Sequence, residues 1–187
     1  MRVVLDPIDG SINAKRGIPF FSVSLAVADG GRMSDVFFGY VYDFGSGEEW
    51  TGRRGEGAWL NGDPLGAVRP KDEIELLSFE ATETKMIAEK APSVVGLAKR
   101  LRIMGSLALS LCHLAAGRID AVCSLKPARS IDVAAAQLLA SEVGLALEFV
   151  DGELAFLDSP LDLESRSRIA AAGSVELCRA LADRLRS

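Results

Sequence analysis

The sequence predicts an α/β protein built in layers, with an antiparallel β-meander in its first half and alternating strands and helices in its second. Three observations carry this. Residues 21–65 are short runs of β-branched and aromatic residues separated by turn dipeptides. After residue 100 the apolar spacing lengthens into helical runs that alternate with short apolar strands. The chain has 187 residues, of which 49% are apolar, enough for one sizeable core. One domain over 1–187 is expected, with the meander in 1–80 and the α/β half in 81–187. Neither a repeat nor a low-complexity linker divides it.

Each element has a local reason. Residues 2–5 read as a buried strand. "FSVSLAVADGG" (21–31) alternates and stops at Gly-Gly, and "DVFFGYVYDFGSG" (35–47) ends in a second turn. "EEWTGRRGEGAWLNGDPL" (48–65) gives two short strands around Arg-Gly-Glu-Gly, followed by an Asn-Gly turn. Residues 75–80 form a strand. Residues 83–100 have helical composition interrupted at Pro92. "LRIM" (101–104) reads as a strand, and Ser106 opens a helix that stops at Gly117. A strand at 119–125 precedes a helix over 130–144, closed by Gly144. A strand at 145–150, a turn at Asp151-Gly152, a strand at 168–172 and a C-terminal helix from Ser174 complete the reading.

Composition narrows the function. The net charge is −5 and no long basic run occurs, which argues against a nucleic-acid surface. No apolar stretch has membrane-spanning length and no signal pattern follows Met1, so a cytoplasmic protein is expected. Cys112, Cys123 and Cys178 are widely spaced and read as buried thiols. His113 is the only histidine and lies in an apolar helical run, where packing is the expected role. Acid–base or metal chemistry therefore falls to Asp and Glu.

Two carboxylates, Asp6 and Asp9, end the first strand in "VVLDPIDGS". Like charges this close need a proton or a cation. Pro7 biases Asp6 to an extended backbone and Asp9-Gly10 reads as a turn. Asp6, the Ile8 carbonyl and Asp9 could face a hard cation such as Mg²⁺, which takes oxygen ligands. Asp-Pro and Asp-Gly are also ordinary turn dipeptides, so both readings stand. Asp132, in the first turn of the 130–144 helix, is open to the same two readings, as a metal ligand or as a cap favoured by the helix dipole.

The motif "LDPIDGSIN" resembles the signature of the inositol monophosphatase superfamily. "SIDVAAAQLLASEVG" resembles its second signature, "RRGEGAWLNGDPL" the hairpin between them, and "RIMGSLALSLCHLAAGRIDA" its strand–Gly-Ser–helix–strand segment. The matches run in family order over most of the chain. "NAKRGIPFFSVSLAV", "DVFFGYVYD" and "LKPARSID" resemble the archaeal type acting on both inositol monophosphate and fructose 1,6-bisphosphate. The resemblance implies an αβαβα sandwich, here without its N-terminal helices. It implies Mg²⁺ held by Asp6, the Ile8 carbonyl, Asp9 and Asp132, with paired metals activating a water for in-line attack on phosphorus. It also implies phosphate contacts from Gly10 and Ser11, a water-orienting Ser11 hydroxyl, and sugar contacts from Gly105 and Ser106. Arg16, Lys126 and Arg129 are candidates for a second phosphate, against the alternative that each is a solvated surface charge.

The sequence departs from that pattern in places. In the family, two helices, a hairpin and a strand with a metal-binding glutamate precede this point, together with an aspartate that pairs with the Thr/Ser hydroxyl. Here Met1 is five residues before Asp6. Weakened metal binding, low activity of this chain alone, and an uncovered sheet face are therefore expected. That face would favour a homodimer, a higher homo-oligomer or pairing with a separate N-terminal fragment. A start codon assigned too late is the other explanation. Ile12 and Ser124 also differ from the usual residues, and the 126–129 loop is short. The expected ligand is a small sugar or inositol phosphate. The competing readings are a non-catalytic sugar-phosphate-binding or interaction module and a phosphatase of nucleotide 3′-phosphates.

Overall fold

A computed structural model describes residues 1–69, 71–81, 83–151 and 155–186. The first half is a six-stranded antiparallel meander in chain order: β1 (Arg2–Asp9), β2 (Ser22–Ala28), β3 (Val36–Asp43), β4 (Glu49–Arg53), β5 (Gly57–Leu60) and β6 (Asp63–Pro64). A six-residue helix, α1 (Ser11–Arg16), follows β1. The second half is a five-stranded sheet in the order β11-β13-β9-β7-β8. Its strands are β7 (Ile74–Glu80), β8 (Ala98–Arg102), β9 (Ala121–Ser124), β11 (Ala146–Phe149) and β13 (Ile169–Ala172). β7 runs parallel to both β8 and β9, and the other pairings are antiparallel. A two-residue ribbon joins β10 (Ala128–Arg129) to β12 (Arg166–Ser167).

Helices α3 (Leu107–Ala115) and α4 (Ser130–Glu142) lie between the two sheets. α5 (Val175–Arg186) covers the far face of the second sheet, and the short α2 (Thr84–Lys90) leads to that side. The layers are thus β-α-β-α, with one apolar cluster around α3 and α4 and another beneath α5. α5 is strongly amphipathic, burying Cys178, Leu181, Ala182 and Leu185. α4 is buried from Val133 to Ala140, as a helix sandwiched between sheets must be.

The meander meets α4 through small residues. Ser22, Ser24, Ala26 and Ala28 of β2 all point inward and are buried. At Gly39 a Cβ would stand 2.7 Å from the Ala135 carbonyl oxygen, so only glycine lets β3 approach the helix backbone this closely. The opposite face carries the larger side chains. Val3 and Leu5 of β1 are 63% and 48% exposed, while the alternating Val4 and Asp6 are buried.

The structure departs from the sequence reading in three places. The stretch 83–100 is helical only over α2, passes through a 3₁₀ turn at Ala91–Val94, and is already strand by Ala98. The strand expected at 101–104 is β8, three residues earlier, because its pairing with β7 sets its limits. The β10–β12 ribbon was not expected at all. In the expected Asp151-Gly152 turn, Gly152 lies outside the described residues. The three cysteines are buried and free. Among the described residues no helix is long and apolar enough to cross a membrane.

Candidate functional site

The end of β1 meets the second half of the chain at a cleft of about 580 Å³. It is lined by Asp6, Ile8, Asp9, Gly10 and Ser11 on one wall, and by Gly105, Ser124, Lys126, Arg129, Asp132 and Arg166 among others on the other. Of the residues singled out in the sequence, all but Arg16 and Ser106 border this space. Arg16 is exposed at the end of α1 outside the lining. Ser106 is fully buried behind it.

A break in strand pairing shapes the first wall. Asp6 pairs with Ser24 and Asp9 with Ser22, so Pro7 and Ile8 face a single residue of β2 and the ladder bulges. The bulge brings both aspartates to the cleft, where strict alternation would separate them. Asp6 Oδ1 accepts the Ile8 amide at 3.2 Å. Gly10 then turns the chain into α1 with φ +85°, and a Cβ there would stand 3.0 Å from the Phe20 carbonyl oxygen. The amides of the first turn of α1 have no acceptor within the helix.

Asp9 is tightly held. The Ser106 hydroxyl donates to its Oδ2 at 2.6 Å and the Ala108 amide donates to the same oxygen at 2.8 Å. Both donors are neutral. Burial pushes the Asp9 carboxyl up to about 7, opposed by these two hydrogen bonds and assisted by the charges of Asp6 and Asp132. The Asp6 carboxyl is also raised, first by burial and then by Asp132. The sugar contact expected of Ser106 is not what the structure shows. Its side chain clamps Asp9 and caps α3 by accepting from the Leu109 amide.

Asp132 has a different partner. Both its oxygens are engaged by Arg129, whose Nη2 lies 2.8 Å from Oδ1 and whose backbone amide donates to Oδ2 at 3.0 Å. The expected capping role is therefore present. Among the described residues, no three His, Cys, Asp or Glu side chains are gathered closely enough to hold a metal ion. The three carboxylates expected to surround Mg²⁺ are not gathered into such a set, and Asp132 is paired with Arg129. Arg129, expected to meet a second phosphate, is in turn committed to Asp132. Lys126 and Arg166 line the cleft, and their side chains make no hydrogen bond or ion pair to another described residue.

The donor chemistry nevertheless fits a hard divalent cation at Asp6 and Asp9. Both are oxygen donors, Asp6 buried and Asp9 partly so; the charge of Asp6 raises the cost of charging Asp9, and Asp9 accepts only from neutral groups. His113 takes no part. It stacks on Phe20 with ring centroids 5.6 Å apart and meets the edge of Trp50. Burial holds its imidazole below the usual range.

Sequence reasoning missed two residues here. Glu80 borders the cleft at the end of β7, and Arg166 faces Arg129 across the β10–β12 ribbon. Glu80 had a signal, since an acid ending an apolar strand that runs parallel to its neighbours stands where α/β sheets place their sites. Arg166 had none, because nothing local marks a two-residue strand.

A model described as the inositol monophosphatase family matches residues 1–186. A fructose-1,6-bisphosphatase/inositol-1-monophosphatase of Methanothermobacter thermautotrophicus is 33% identical over 182 residues, covering 93% of this chain and 64% of the relative. The Archaeoglobus fulgidus protein of that name is 35% identical over 177 residues, covering 91% and 64%. The chain thus spans less than two thirds of the length of these relatives. A Pyrococcus horikoshii protein of known structure, described as similar to inositol-1 monophosphatase, superposes with a TM-score of 0.82 at 31% identity, over 97% of this chain and 69% of the other.

Proposed function

Because the chain belongs to the inositol monophosphatase family, we propose that its cleft hydrolyses phosphate monoesters of inositol or a sugar, with Mg²⁺ held at Asp6, Asp9 and the Ile8 carbonyl. The observation that carries this reading is Asp9, a part-buried carboxylate raised to about 7 and clamped by neutral donors beside a second raised carboxylate. A protein gains nothing in stability from such a pair, and a cation is what would use it. The names of the relatives support the substrate class, namely inositol monophosphate and fructose 1,6-bisphosphate.

The residues divide the work. Ser106 and Ala108 fix Asp9 Oδ2 and thereby orient the remaining oxygen. Ser11, exposed on the cleft wall, orients the attacking water with its hydroxyl. A bound Mg²⁺ would supply charge to offset the phosphate and lower the pKa of that water. Asp132 would be available to the metal if Arg129 turned from it to the phosphate, exchanging one charge-assisted contact for another. Lys126 and Arg166 attract the anionic substrate and favour one with a second phosphate. The site draws on residues 6–11 and 80–166 together, which supports reading the two halves as one phosphatase-like domain.

The test is phosphate release with Mg²⁺ and with chelator, using inositol 1-phosphate, fructose 1,6-bisphosphate and a nucleoside 3′-phosphate. Magnesium-dependent release from either of the first two supports the proposal. Preference for the nucleotide in kcat/KM would redirect it, and no release from any of the three would defeat it. A second reading, sugar-phosphate binding without turnover, draws on the Arg129–Asp132 pair, and it predicts that fructose 1,6-bisphosphate raises Tm without being consumed.

A further inference from the structure

Glu80 is a buried carboxylate that the chemistry above does not use. It ends β7, is 7% exposed and borders the cleft. It could act by touching a ligand or by holding the wall, and its partners favour the wall. Its Oε2 accepts the Gly105 amide at 2.9 Å. Its Oε1 lies 2.7 Å from the hydroxyls of both Ser78 and Ser110, and accepts the Met104 amide at 3.4 Å. Every partner is neutral, and three of the four lie between residues 104 and 110.

The same segment is tied at its other side to Asp9, through the Ser106 hydroxyl and the Ala108 amide. The Asn13 side-chain amide adds a strut by donating to the Met104 carbonyl at 2.8 Å. Residues 104–108 are thus strung between two carboxylates that border the cleft, Glu80 with both oxygens engaged and Asp9 with Oδ2 engaged. We propose that Glu80 is a positioning residue for Asp9: by accepting the Gly105 amide it sets the turn that presents Ser106 and Ala108 to Asp9 Oδ2. The catalytic consequence rests on the phosphatase reading, whereas the mechanical link does not.

What the role requires is reach to the Gly105 amide, not charge. Gln at position 80 keeps a carbonyl oxygen for Gly105, and its NH₂ can donate to the Ser78 and Ser110 hydroxyls. Asp keeps the charge but withdraws it by one methylene. The test compares Glu80→Gln with Glu80→Asp in the whole chain, using amide hydrogen exchange at Ala108 and the dissociation constant for Mn²⁺. Glu80→Asp is expected to speed exchange at Ala108 and raise the Mn²⁺ dissociation constant about 10-fold, as loss of a supporting contact behind a ligand does. Glu80→Gln is expected to stay within about 3-fold of the unaltered chain on that scale. The proposal is overturned if Glu80→Asp leaves Ala108 exchange unchanged, or if Glu80→Gln is the more damaged of the two. If the unaltered chain binds no Mn²⁺, the metal reading fails, and Ala108 exchange alone still decides the role of Glu80.

Discussion

The two walls of the cleft treat their carboxylates in opposite ways. On the meander wall Asp9 is partly buried and accepts only from a hydroxyl and an amide. On the α/β wall Asp132 keeps a bidentate cation, Arg129, within its own helix start. The first arrangement leaves a carboxylate that a proton or, on the proposed reading, a cation would neutralise, and the second is neutralised internally. A site that binds both a cation and an anionic substrate needs both. One wall holds negative charge in reserve, and the other carries a cation that a phosphate can capture.

The largest expected effect comes from removing the reserve. Asp9→Asn should lower Mg²⁺-dependent phosphate release by about 1,000-fold or more, which corresponds to about 4 kcal/mol at the barrier. Initial rates at saturating Mg²⁺ would measure it. The same variant sharpens the comparison through stability. With its folded pKa near 7, raised from 3.8, Asp9 binds a proton more tightly in the folded chain, so its contribution to stability is present at low pH and is lost as pH rises from about 4 to 7. In chelator, Asp9→Asn should therefore match the unaltered chain near pH 4 and exceed it at pH 8 by on the order of 3–4 kcal/mol. Urea unfolding at the two pH values gives the comparison.

A smaller effect tests the joint that brings the walls together. Gly39→Ala places a methyl group 2.7 Å from the Ala135 carbonyl oxygen and should destabilise the chain by about 1–3 kcal/mol. That would appear as a fall in Tm of several degrees. The smallest change breaks the other wall. Arg129→Met frees Asp132, so Mg²⁺ should half-saturate at a few-fold lower concentration while KM for the phosphate ester rises. Equal shifts in both quantities would show that Arg129 does not divide its charge between them.

Much of this was legible in the chain. The meander was written in its turns, Gly30-Gly31, Gly45-Ser46-Gly47 and Asn61-Gly62, each separating alternating strands. Asp6 and Asp9 were legible as candidates only through the resemblance of "LDPIDGSIN" to the family signature, because their spacing alone also fits an ordinary turn. Strand β8 was hidden because "AKRLR" suits a helix, and only its parallel pairing with β7 makes it extended. The bulge that turns Asp6 and Asp9 to the same side depends on pairing with β2, and the clamp of Ser106 and Ala108 on Asp9 depends on contacts 97 and 99 residues apart along the chain. No local signal specifies such contacts, nor the pairing of Arg129 opposite Arg166.

The central claim is that Asp6 and Asp9 form a cation site. Calorimetric titration of the chain with Mg²⁺, in the absence of substrate, tests it most directly. Saturable binding that disappears in Asp9→Asn and in Asp6→Asn, and persists in Arg129→Met, is the predicted result. Binding of equal affinity in the unaltered chain and in Asp9→Asn would contradict it.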